Sequence, residues 1–480
     1  MTEIRPNILF LMTDQHNARC FGYSGNPDVK TPNIDSLAEK GVSFRNAFCQ
    51  NGVCVPSRVS YHTGMYCNAH GVYGSETVPV PEKLLSLPAY LKQHGYQTAL
   101  IGKEHLPGWH TVGYDYKRMC YCSDGGALRN VHYYQYLKKH GLQRYYDDLG
   151  DVMNYCMSDD TLPVEHSLEV WTANESIDYL KQKSDDTPFF MHVSFERPHP
   201  PLTVPKGTET LYDPMAITLP ENDREVVKEE PIFFNRNIEM DWCKSVTGEA
   251  RLRQGLANYY GLITLIDQQI GRLIDALKQQ GQYEKTLIIF CSDHGDYAGE
   301  YSKMAKGFNY DCIHRVPYIW HWPGGGFHTD GEKTGLVQAI DLFPTVCDLL
   351  SLDIPDRVQG QVLSELLRSD NDSEQEAVFW EFVGVKTIRT ATHKLNYCFN
   401  GETVAELYDL VRDPYEYDNV YDDSDYAAVR DDLKDRLLNW LISSQQPPNL
   451  PNDHERLPPT RFFDPYDFKG PTYRSQNPID

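Results

Sequence analysis

The chain has 480 residues, and 45 Lys and Arg stand against 68 Asp and Glu, which gives a formal net charge of −23. Such a charge repels nucleic acids, heparin-like polyanions and anionic membranes at long range, so no nucleic acid or membrane is expected as a general partner. At this length we expect one large domain and a smaller one, with the composition of a globular protein.

We expect no targeting segment at the N-terminus. The apolar run at 8–12 is too short for a signal peptide, and no stretch approaches the roughly 18 apolar residues of a membrane span. The twelve cysteines are scattered and form no dense disulfide framework. We therefore expect a cytoplasmic protein with mostly reduced thiols.

Apolar periodicity predicts alternating strands and helices through most of the chain. The first half is predicted to contain a strand at 6–12, a helix at 31–41, a strand at 42–48, a helix at 84–94, a strand at 96–102, a helix at 167–183 and a strand at 188–195. A long amphipathic helix at 249–280, strands at 286–291 and 315–322 and a helix at 335–350 are predicted to follow. Residues 106–165 and 202–247 lack clear periodicity and are predicted to be irregular. The alternation predicts an α/β domain with a mostly parallel or mixed sheet over 1–370.

The pattern changes after about residue 370. Short antiparallel strands are predicted at 378–383, 387–392, 394–398 and 406–409, with a helix at 425–444. They predict a smaller α+β subdomain over 371–445. The tail 446–480 is dense in Pro, Asn, Asp and aromatic residues and is predicted to be extended. Either it is disordered, or it wraps this subunit or a second copy in a homo-oligomer.

Four predicted strands end in charged or imidazole side chains. These are Asp14, then Lys103 and His105, then His199, then Asp293 and His294. One such residue is usually a turn residue or a helix cap. Four such ends in one parallel sheet meet at one edge, where open α/β sheets bind ligands, so we predict a single site.

The residue types indicate the chemistry of this site. Asp14, Asp293 and a neutral His294 are oxygen and nitrogen ligands for a divalent cation. Lysines, an arginine and further histidines around them supply positive charge and proton donors, which suits the ester of a tetrahedral oxyanion. Only Cys54 is a candidate nucleophile, although an isolated cysteine is usually a small buried apolar residue.

This ordered set resembles the sulfatase family, a branch of the alkaline-phosphatase-like superfamily. The resemblance is carried by Pro6-Asn-Ile, Asp14-Gln15, Thr31-Pro-Asn-Ile-Asp35, Cys54-Val-Pro-Ser-Arg58, Gly102-Lys103-Glu104-His105, Arg197-Pro198-His199, Ser292-Asp293-His294-Gly295, Lys306-Gly, Arg315-Val-Pro317 and Glu406-Leu-Tyr-Asp-Leu. It covers the main domain and reaches into the C-terminal subdomain. It implies a mixed, mostly parallel sheet flanked by helices, with a smaller antiparallel sheet plus helix.

The resemblance also implies the activity, which is hydrolysis of sulfate esters. Cys54 is then converted to Cα-formylglycine by a formylglycine-generating enzyme, and a hydroxyl of the hydrated aldehyde attacks sulfur. One divalent metal, most often Ca²⁺, is implied to bind Asp14, residue 54, Asp293 and His294.

The remaining roles are carried over from the family. Arg58 and Lys103 are implied to steady the formylglycine and the sulfate charge, and His105 to take a proton during sulfate release. His199 and Lys306 are implied to bind a sulfate oxygen and protonate the departing alcohol.

Three positions leave room for other interpretations. Many relatives have Asp-Asp in place of Asp14-Gln15 and Asp-Asn in place of Asp293-His294, so it stays open whether Gln15 ligates the metal. The missing carboxylate shifts the preference towards Mn²⁺ or Mg²⁺. His70 either lines the substrate pocket or is a turn histidine.

Two other functions remain open. The Asp-Gln and Asp-His pairs also resemble phosphonate monoester or phosphodiester hydrolases of the same superfamily, whereas Lys103 and His105 favour a sulfatase. An inactive binding protein of the sulfatase fold is disfavoured because every catalytic position is filled. The expected substrate is a small sulfated sugar or an aryl or steroid sulfate.

Overall fold

The structure is a computed structural model, and it describes residues 5–74, 79–121, 131–143, 159–184, 186–221, 248–328, 332–382, 384–399 and 403–445. The predicted tail 446–480 and most of the predicted irregular segment 202–247 lie outside these residues. Within the described ranges, no helix is long and apolar enough to cross a membrane.

The strands of the described residues, in chain order, are β1 (Asn7–Asp14), β2 (Val42–Phe48), β3 (Gln97–Lys103), β4 (Tyr116–Tyr121), β5 (Asp159–Pro163), β6 (Phe189–Pro198), β7 (Val204–Lys206), β8 (Thr286–Ser292), β9 (Arg315–Val316), β10 (Tyr318–His321), β11 (Glu332–Gln338), β12 (Ala377–Phe382), β13 (Val385–Thr390), β14 (His393–Phe399) and β15 (Thr403–Asp409). The α-helices are α1 (Pro32–Glu39), α2 (Cys54–Thr63), α3 (Cys67–His70), α4 (Leu87–Gln93), α5 (His132–Lys139), α6 (Leu168–Gln182), α7 (Glu249–Gln279), α8 (Asp311–His314), α9 (Leu342–Leu349), α10 (Ser364–Arg368) and α11 (Ala427–Gln445).

The main sheet has the strand order β11-β2-β10-β8-β1-β6-β3-β4, and β9 pairs with β2 outside this path. Strand β1 lies at its centre, parallel to β6 and β8. Among the strands described in this sheet, β9 and β10 alone run against the others. The prediction of a mixed, mostly parallel sheet is therefore confirmed.

Alternate residues of β1 face two separate cores, which explains its continuous apolar sequence. Ile8 and Phe10 pack in the core formed with helices α4 and α9. Leu9 and Leu11 pack in the core formed with helices α1 and α7. The sheet is thus covered by helices on both faces, and its carboxyl edge remains available for a site.

The second sheet is the antiparallel series β12-β13-β14-β15. Helix α11 packs on it through Leu433, Leu437 and Trp440. This confirms the predicted C-terminal antiparallel sheet and helix. The domain boundary near residue 370 stays a prediction, and it falls between α10 and β12.

The helix predicted over 335–350 is wrong in its first half. Residues Glu332–Gln338 form strand β11, parallel to β2, and the helix begins only at Leu342. A short apolar run such as Leu336 and Val337 fits a buried strand as well as a helix, so periodicity could not separate them.

Two further element predictions are wrong. Part of the segment 106–165 is regular, because β4 pairs with β3 and α5 packs through Tyr133 and Leu137. Aromatic side chains supply this core, so the aliphatic period is weak. The single strand predicted over 315–322 divides at Pro317, which has no backbone N–H for a sheet hydrogen bond.

Candidate active site

The strand ends singled out by the sequence meet at one edge of the main sheet. β1 ends at Asp14 and β3 at Lys103, while Asp293 and His294 directly follow β8. Strands β8, β1, β6 and β3 are consecutive parallel neighbours, so their carboxyl ends lie on the same side. The side chains at these ends therefore share one location.

Helix α2 brings Cys54 to this edge as its first residue. All ten residues of the helix are buried. Asn51 accepts a hydrogen bond from the backbone N–H of Val53 at 3.0 Å and fixes the turn before the helix. A helix N-terminus favours negative charge, so the position suits an anionic or electron-rich group at residue 54.

Four buried side chains could hold a metal ion. One donor atom each from Asp14, Cys54, Asp293 and His294 lies within 4.8 Å of the others. The Nδ1 atom of His294 is 2.9 Å from the carbonyl oxygen of Gly295, and its Nε2 atom is 3.2 Å from the Cys54 Sγ. A backbone partner at Nδ1 leaves Nε2 directed at the cluster, as is usual for a metal-binding histidine.

Arg58 bridges the two carboxylates, those of Asp14 and Asp293. It donates from Nε to Asp293 Oδ2 at 2.9 Å, from Nη2 to Asp14 Oδ2 at 3.0 Å and from Nη1 to Ser194 Oγ at 2.9 Å. Lys103 Nζ lies 2.7 Å from the same oxygen of Asp14. These charges are buried, so each must be paired to be tolerated, and the pairing fixes their positions.

The pKa values of the two carboxyl groups move in opposite directions. Burial acts to raise the pKa of Asp14, but the positive charges of Lys103 and Arg58 hold that pKa well below its usual range. Burial and the nearby charge of Asp14 raise the pKa of Asp293. Asp14 is therefore the firmly ionised member of the pair.

The surroundings of Cys54 are strongly electropositive. Burial acts to raise the pKa of its thiol, but Lys306, Lys103 and His294 lower that pKa well below the usual value. The Lys306 Nζ lies 3.0 Å from the Cys54 Sγ and 3.2 Å from the His294 Nε2. An anionic group at residue 54, or an anion bound beside it, is thus stabilised by several cations.

Two more histidines lie around residue 54. His105 and His199 each lie near Cys54, where His105 acts to lower the pKa of the Cys54 thiol and Cys54 acts to raise the pKa of His199. Burial and the charges of Lys306 and Lys103 lower the pKa of His199, so its neutral form is favoured. The structure thus places two histidines and a lysine around residue 54, where they can exchange protons with a reacting group.

Comparison with known proteins identifies the family. The sequence profile described as Sulfatase matches residues 6–352, and the profile described as N-sulphoglucosamine sulphohydrolase, C-terminal, matches residues 299–442. The chain belongs to the sulfatase family. It is therefore an enzyme with the fold of the alkaline-phosphatase-like superfamily, as the sequence motifs predict.

Individual relatives cover nearly the whole of this sulfatase. The arylsulfatase of Clostridium perfringens (strain 13 / Type A) is 31% identical over 462 residues, covering 92% of this chain and 96% of that protein. The N-acetylglucosamine-6-O-sulfatase of Bacteroides thetaiotaomicron is 23% identical over 521 residues, covering 94% and 89%. Among solved structures, the phosphonate monoester hydrolase of Agrobacterium radiobacter is similar with a TM-score of 0.77 and 26% identity, covering 92% and 96%.

Gln15 of this sulfatase is tied to a carboxylate that the sequence analysis did not single out. Its Nε2 donates to Asp296 Oδ2 at 2.6 Å, and its backbone N–H donates to Asp293 Oδ1 at 3.1 Å. Burial raises the pKa of Asp296 to about 7. Asp296 ends the segment Ser292-Asp-His-Gly-Asp, and its place in that polar run was the signal that could have revealed it.

Both ring nitrogens of His70 have hydrogen-bond partners within the protein. Its Nε2 lies 3.0 Å from Ser60 Oγ, and its Nδ1 accepts from the Val72 backbone N–H at 3.1 Å. Burial lowers the pKa of His70 to about 3, so the ring is neutral. Among the contacts described, none joins His70 to Cys54. Its assignment to the substrate pocket stays a prediction.

Proposed function

We propose that this sulfatase hydrolyses sulfate esters with residue 54 in an oxidised form, Cα-formylglycine, and with one divalent cation. The arrangement around residue 54 is the observation that carries the proposal. A buried side chain at a helix N-terminus is surrounded by Lys306, His105 and His199 and adjoins four converging donor atoms.

The donor set fits a divalent cation. Asp14 and Asp293 offer carboxylate oxygens, and His294 offers its Nε2 atom. The other ring nitrogen of His294, Nδ1, is already held by a backbone carbonyl oxygen. We propose Ca²⁺, with Mn²⁺ or Mg²⁺ as the alternatives. When bound, the cation acts as a Lewis acid on an oxygen of residue 54.

The thiol in this structure stands for the hydroxyl oxygens of the hydrated aldehyde. That hydrate supplies one hydroxyl that attacks sulfur and a second whose deprotonation releases sulfate and restores the aldehyde. Arg58 and Lys103 keep Asp14 in place and neutralise the growing negative charge.

The remaining residues move protons. Lys306 or His199 protonates the ester oxygen as its bond to sulfur breaks, so the alcohol leaves neutral. His105 takes the proton of the second hydroxyl when sulfate departs. The Lys306 Nζ lies 3.0 Å from the Cys54 Sγ, and His105 and His199 lie near residue 54, so all three are placed to exchange protons with a group bound there.

For the substrate we propose a small sulfated sugar or an aryl or steroid sulfate. The names of two relatives, an arylsulfatase and an N-acetylglucosamine-6-O-sulfatase, support these classes. The net charge of −23 disfavours long polysulfated chains, because they carry charge of the same sign.

The test is the intact mass of the peptide that contains residue 54, from protein made with an active formylglycine-generating enzyme. We expect replacement of sulfur by oxygen with loss of two hydrogens. Cys67, a buried cysteine thirteen residues along the chain, serves as the internal control and should remain a thiol. An unmodified Cys54 in protein that turns over sulfate esters refutes the formylglycine mechanism.

A second candidate function is phosphonate monoester hydrolysis. The structural likeness to a phosphonate monoester hydrolase, together with Gln15 and His294, favours it. The ratio of kcat/KM for an aryl sulfate to that for a phenyl phosphonate ester separates the two. We expect the ratio to exceed one, and a ratio well below one assigns the phosphonate ester as the preferred substrate.

A further inference from the structure

Lys306 lies in a loop, residues 297–309, whose backbone is held in an unfavourable conformation. Five residues of this Lys306 loop other than glycine have positive φ: Ala298 (46°), Tyr301 (56°), Ser302 (56°), Ala305 (87°) and Phe308 (66°). A side chain with a Cβ rarely adopts this conformation, which persists only where surrounding contacts impose it. The contacts that hold the loop therefore determine where the ammonium of Lys306 lies.

Asp296 and Tyr297 hold the backbone of the loop at several points. The Asp296 carboxylate accepts from the backbone N–H of Ala298 at 2.7 Å and of Ala305 at 3.1 Å. The Tyr297 hydroxyl donates to the carbonyl oxygen of Gly307 at 2.9 Å. These bonds fix the backbone at Ala305 and Gly307, on either side of Lys306.

The C-terminal sheet holds the other end of the loop, at Asn309. The Trp380 Nε1 donates to Asn309 Oδ1 at 3.2 Å, and the Lys394 Nζ donates to the carbonyl oxygen of Asn309 at 2.7 Å. Lys394 is completely buried and paired with Asp311 and Glu416, so its ammonium has a fixed position. Two residues of this sheet thus fix the chain three residues after Lys306.

The same sheet also holds the segment before residue 54. Strand β12 contacts this segment through Glu381, whose backbone N–H donates to the carbonyl oxygen of Gln50 at 3.0 Å. The Asn51 Nδ2 donates to the carbonyl oxygen of Glu381 at 2.6 Å. Asn51 in turn caps the backbone of Val53, the residue before Cys54.

Trp380 and Glu381 are neighbours in β12, so one strand contacts both segments. We propose that β12 sets the distance between residue 54 and Lys306, with Trp380 and Asn51 as positioning residues. This inference rests on the proposed function only for the roles of residue 54 and Lys306. The C-terminal sheet is then part of the active-site scaffold, although none of its residues is assigned to the chemistry.

The alternative is that these bonds only stabilise the fold. A purely structural role lowers stability and leaves the kinetics of the folded fraction unchanged. A positioning role lowers kcat, and it does so most for esters with poor leaving groups, because these need the proton that Lys306 supplies. The dependence of kcat on leaving-group pKa therefore distinguishes the two roles.

The variant Trp380→Phe tests the proposal. It keeps an aromatic ring near Phe48 and His314, and it removes the N–H that reaches Asn309 together with part of the indole ring. We expect kcat on a poor leaving group to fall roughly 10- to 100-fold, with a smaller fall on a good one and little change in KM.

Thr387→Val is the matched control. Thr387 lies in the adjacent strand β13 and loses one buried hydrogen bond, to Asn396 Oδ1 at 2.8 Å. Among the described contacts, this bond reaches neither of the two segments. The control should lose stability and keep the kcat of the unmutated protein. Equal kcat values in both variants refute the positioning role.

Asn309 provides a second test from the other side of the bond. Asn309→Ala removes the acceptor, whereas Asn309→Asp keeps an oxygen for the Trp380 N–H. We expect Asn309→Ala to reproduce the loss of kcat and Asn309→Asp to restore most of it. In a Lys306→Ala background, Trp380→Phe should have no further effect on leaving-group dependence, and an undiminished effect there contradicts the proposal.

Failure of the proposed function gives a different result. If the unmutated protein turns over no sulfate ester but cleaves a phenyl phosphonate ester, the reaction assignment fails. The same variants are then compared on the phosphonate ester. A loss of kcat confined to Trp380→Phe and Asn309→Ala supports positioning there too, and its absence refutes it.

Discussion

The protein buries two clusters of charge, and they are arranged differently. The site cluster at the edge of the main sheet consists of Asp14, Asp293, Arg58 and Lys103. The inter-sheet cluster between the main domain and the C-terminal sheet consists of Asp311, Glu416, Lys394 and Arg389. Both contain two acids and two bases, so charge balance alone does not separate a functional cluster from a structural one.

The direction of the donor atoms does separate them. In the site cluster, both acids also converge with Cys54 and His294 on one small volume. In the inter-sheet cluster the acids are used by the protein: Asp311 lies 3.4 Å from Lys394 and Arg389, and Glu416 accepts from the Asp311 backbone N–H at 2.9 Å. Donors that converge on one shared volume indicate a ligand site even where they are also paired, whereas acids whose described contacts are only with protein groups indicate a structural role.

The largest expected effect is that of removing the side chain on which the site cluster converges. Cys54→Ala should lower kcat on any sulfate ester by roughly 10³-fold or more, because the nucleophile is lost. Its free energy of unfolding should change by about 1 kcal/mol or less, since both acids keep Arg58. Steady-state kinetics and urea unfolding measure the two quantities. Turnover close to that of the unmutated protein would end the proposed role of residue 54.

The inter-sheet cluster should show its effect in stability. Lys394→Met leaves Asp311 and Glu416 buried with less positive charge, and we expect the free energy of unfolding to fall by about 3–5 kcal/mol. Urea unfolding followed by circular dichroism measures it. Added Ca²⁺ should not restore the loss, because this cluster has no converging donor set. A loss below about 1 kcal/mol contradicts the structural role.

Metal removal should affect the site cluster alone. A cation at 100 times its Kd stabilises the folded state by about 2.7 kcal/mol, and chelation removes this stabilisation together with activity. Lys394→Met should keep the same metal-dependent shift in melting temperature as the unmutated protein. Scanning calorimetry with and without a chelator measures it. Equal melting temperatures under both conditions would show that the converging donors bind no metal.

The smallest expected effect on stability is that of an exposed ion pair. Arg45 pairs with Glu332, and their side chains are 61% and 24% exposed. Arg45→Ala should cost less than about 1 kcal/mol, since water screens the pair. Urea unfolding at low and high salt checks it. A loss above about 2 kcal/mol in the free energy of unfolding would show that burial does not determine how much these ion pairs contribute to stability.

The sequence predicts the parts of this molecule that rest on local pattern. Strand β1 is a continuous apolar run, helix α7 has a strong helical period, and polar residues at successive strand ends predict the site cluster. Strand β11 is missed because a short apolar run fits two structures. The bond between Asn51 and Glu381 joins residues 330 positions apart, and nothing local encodes such a contact. Ser194 is missed for the same reason, since its importance comes from Arg58, whereas the polar run that contains Asp296 was a local signal for it.

The burial of Cys54 limits when its thiol can be oxidised relative to the folding of the chain. Its side chain is 2% exposed, and every residue of α2 around it is buried. Under the proposed mechanism, the enzyme that oxidises this thiol has to reach a side chain that the folded protein buries. The oxidation would then have to come before the chain folds around residue 54. Protein that folded without that enzyme would not gain activity when the enzyme is added later.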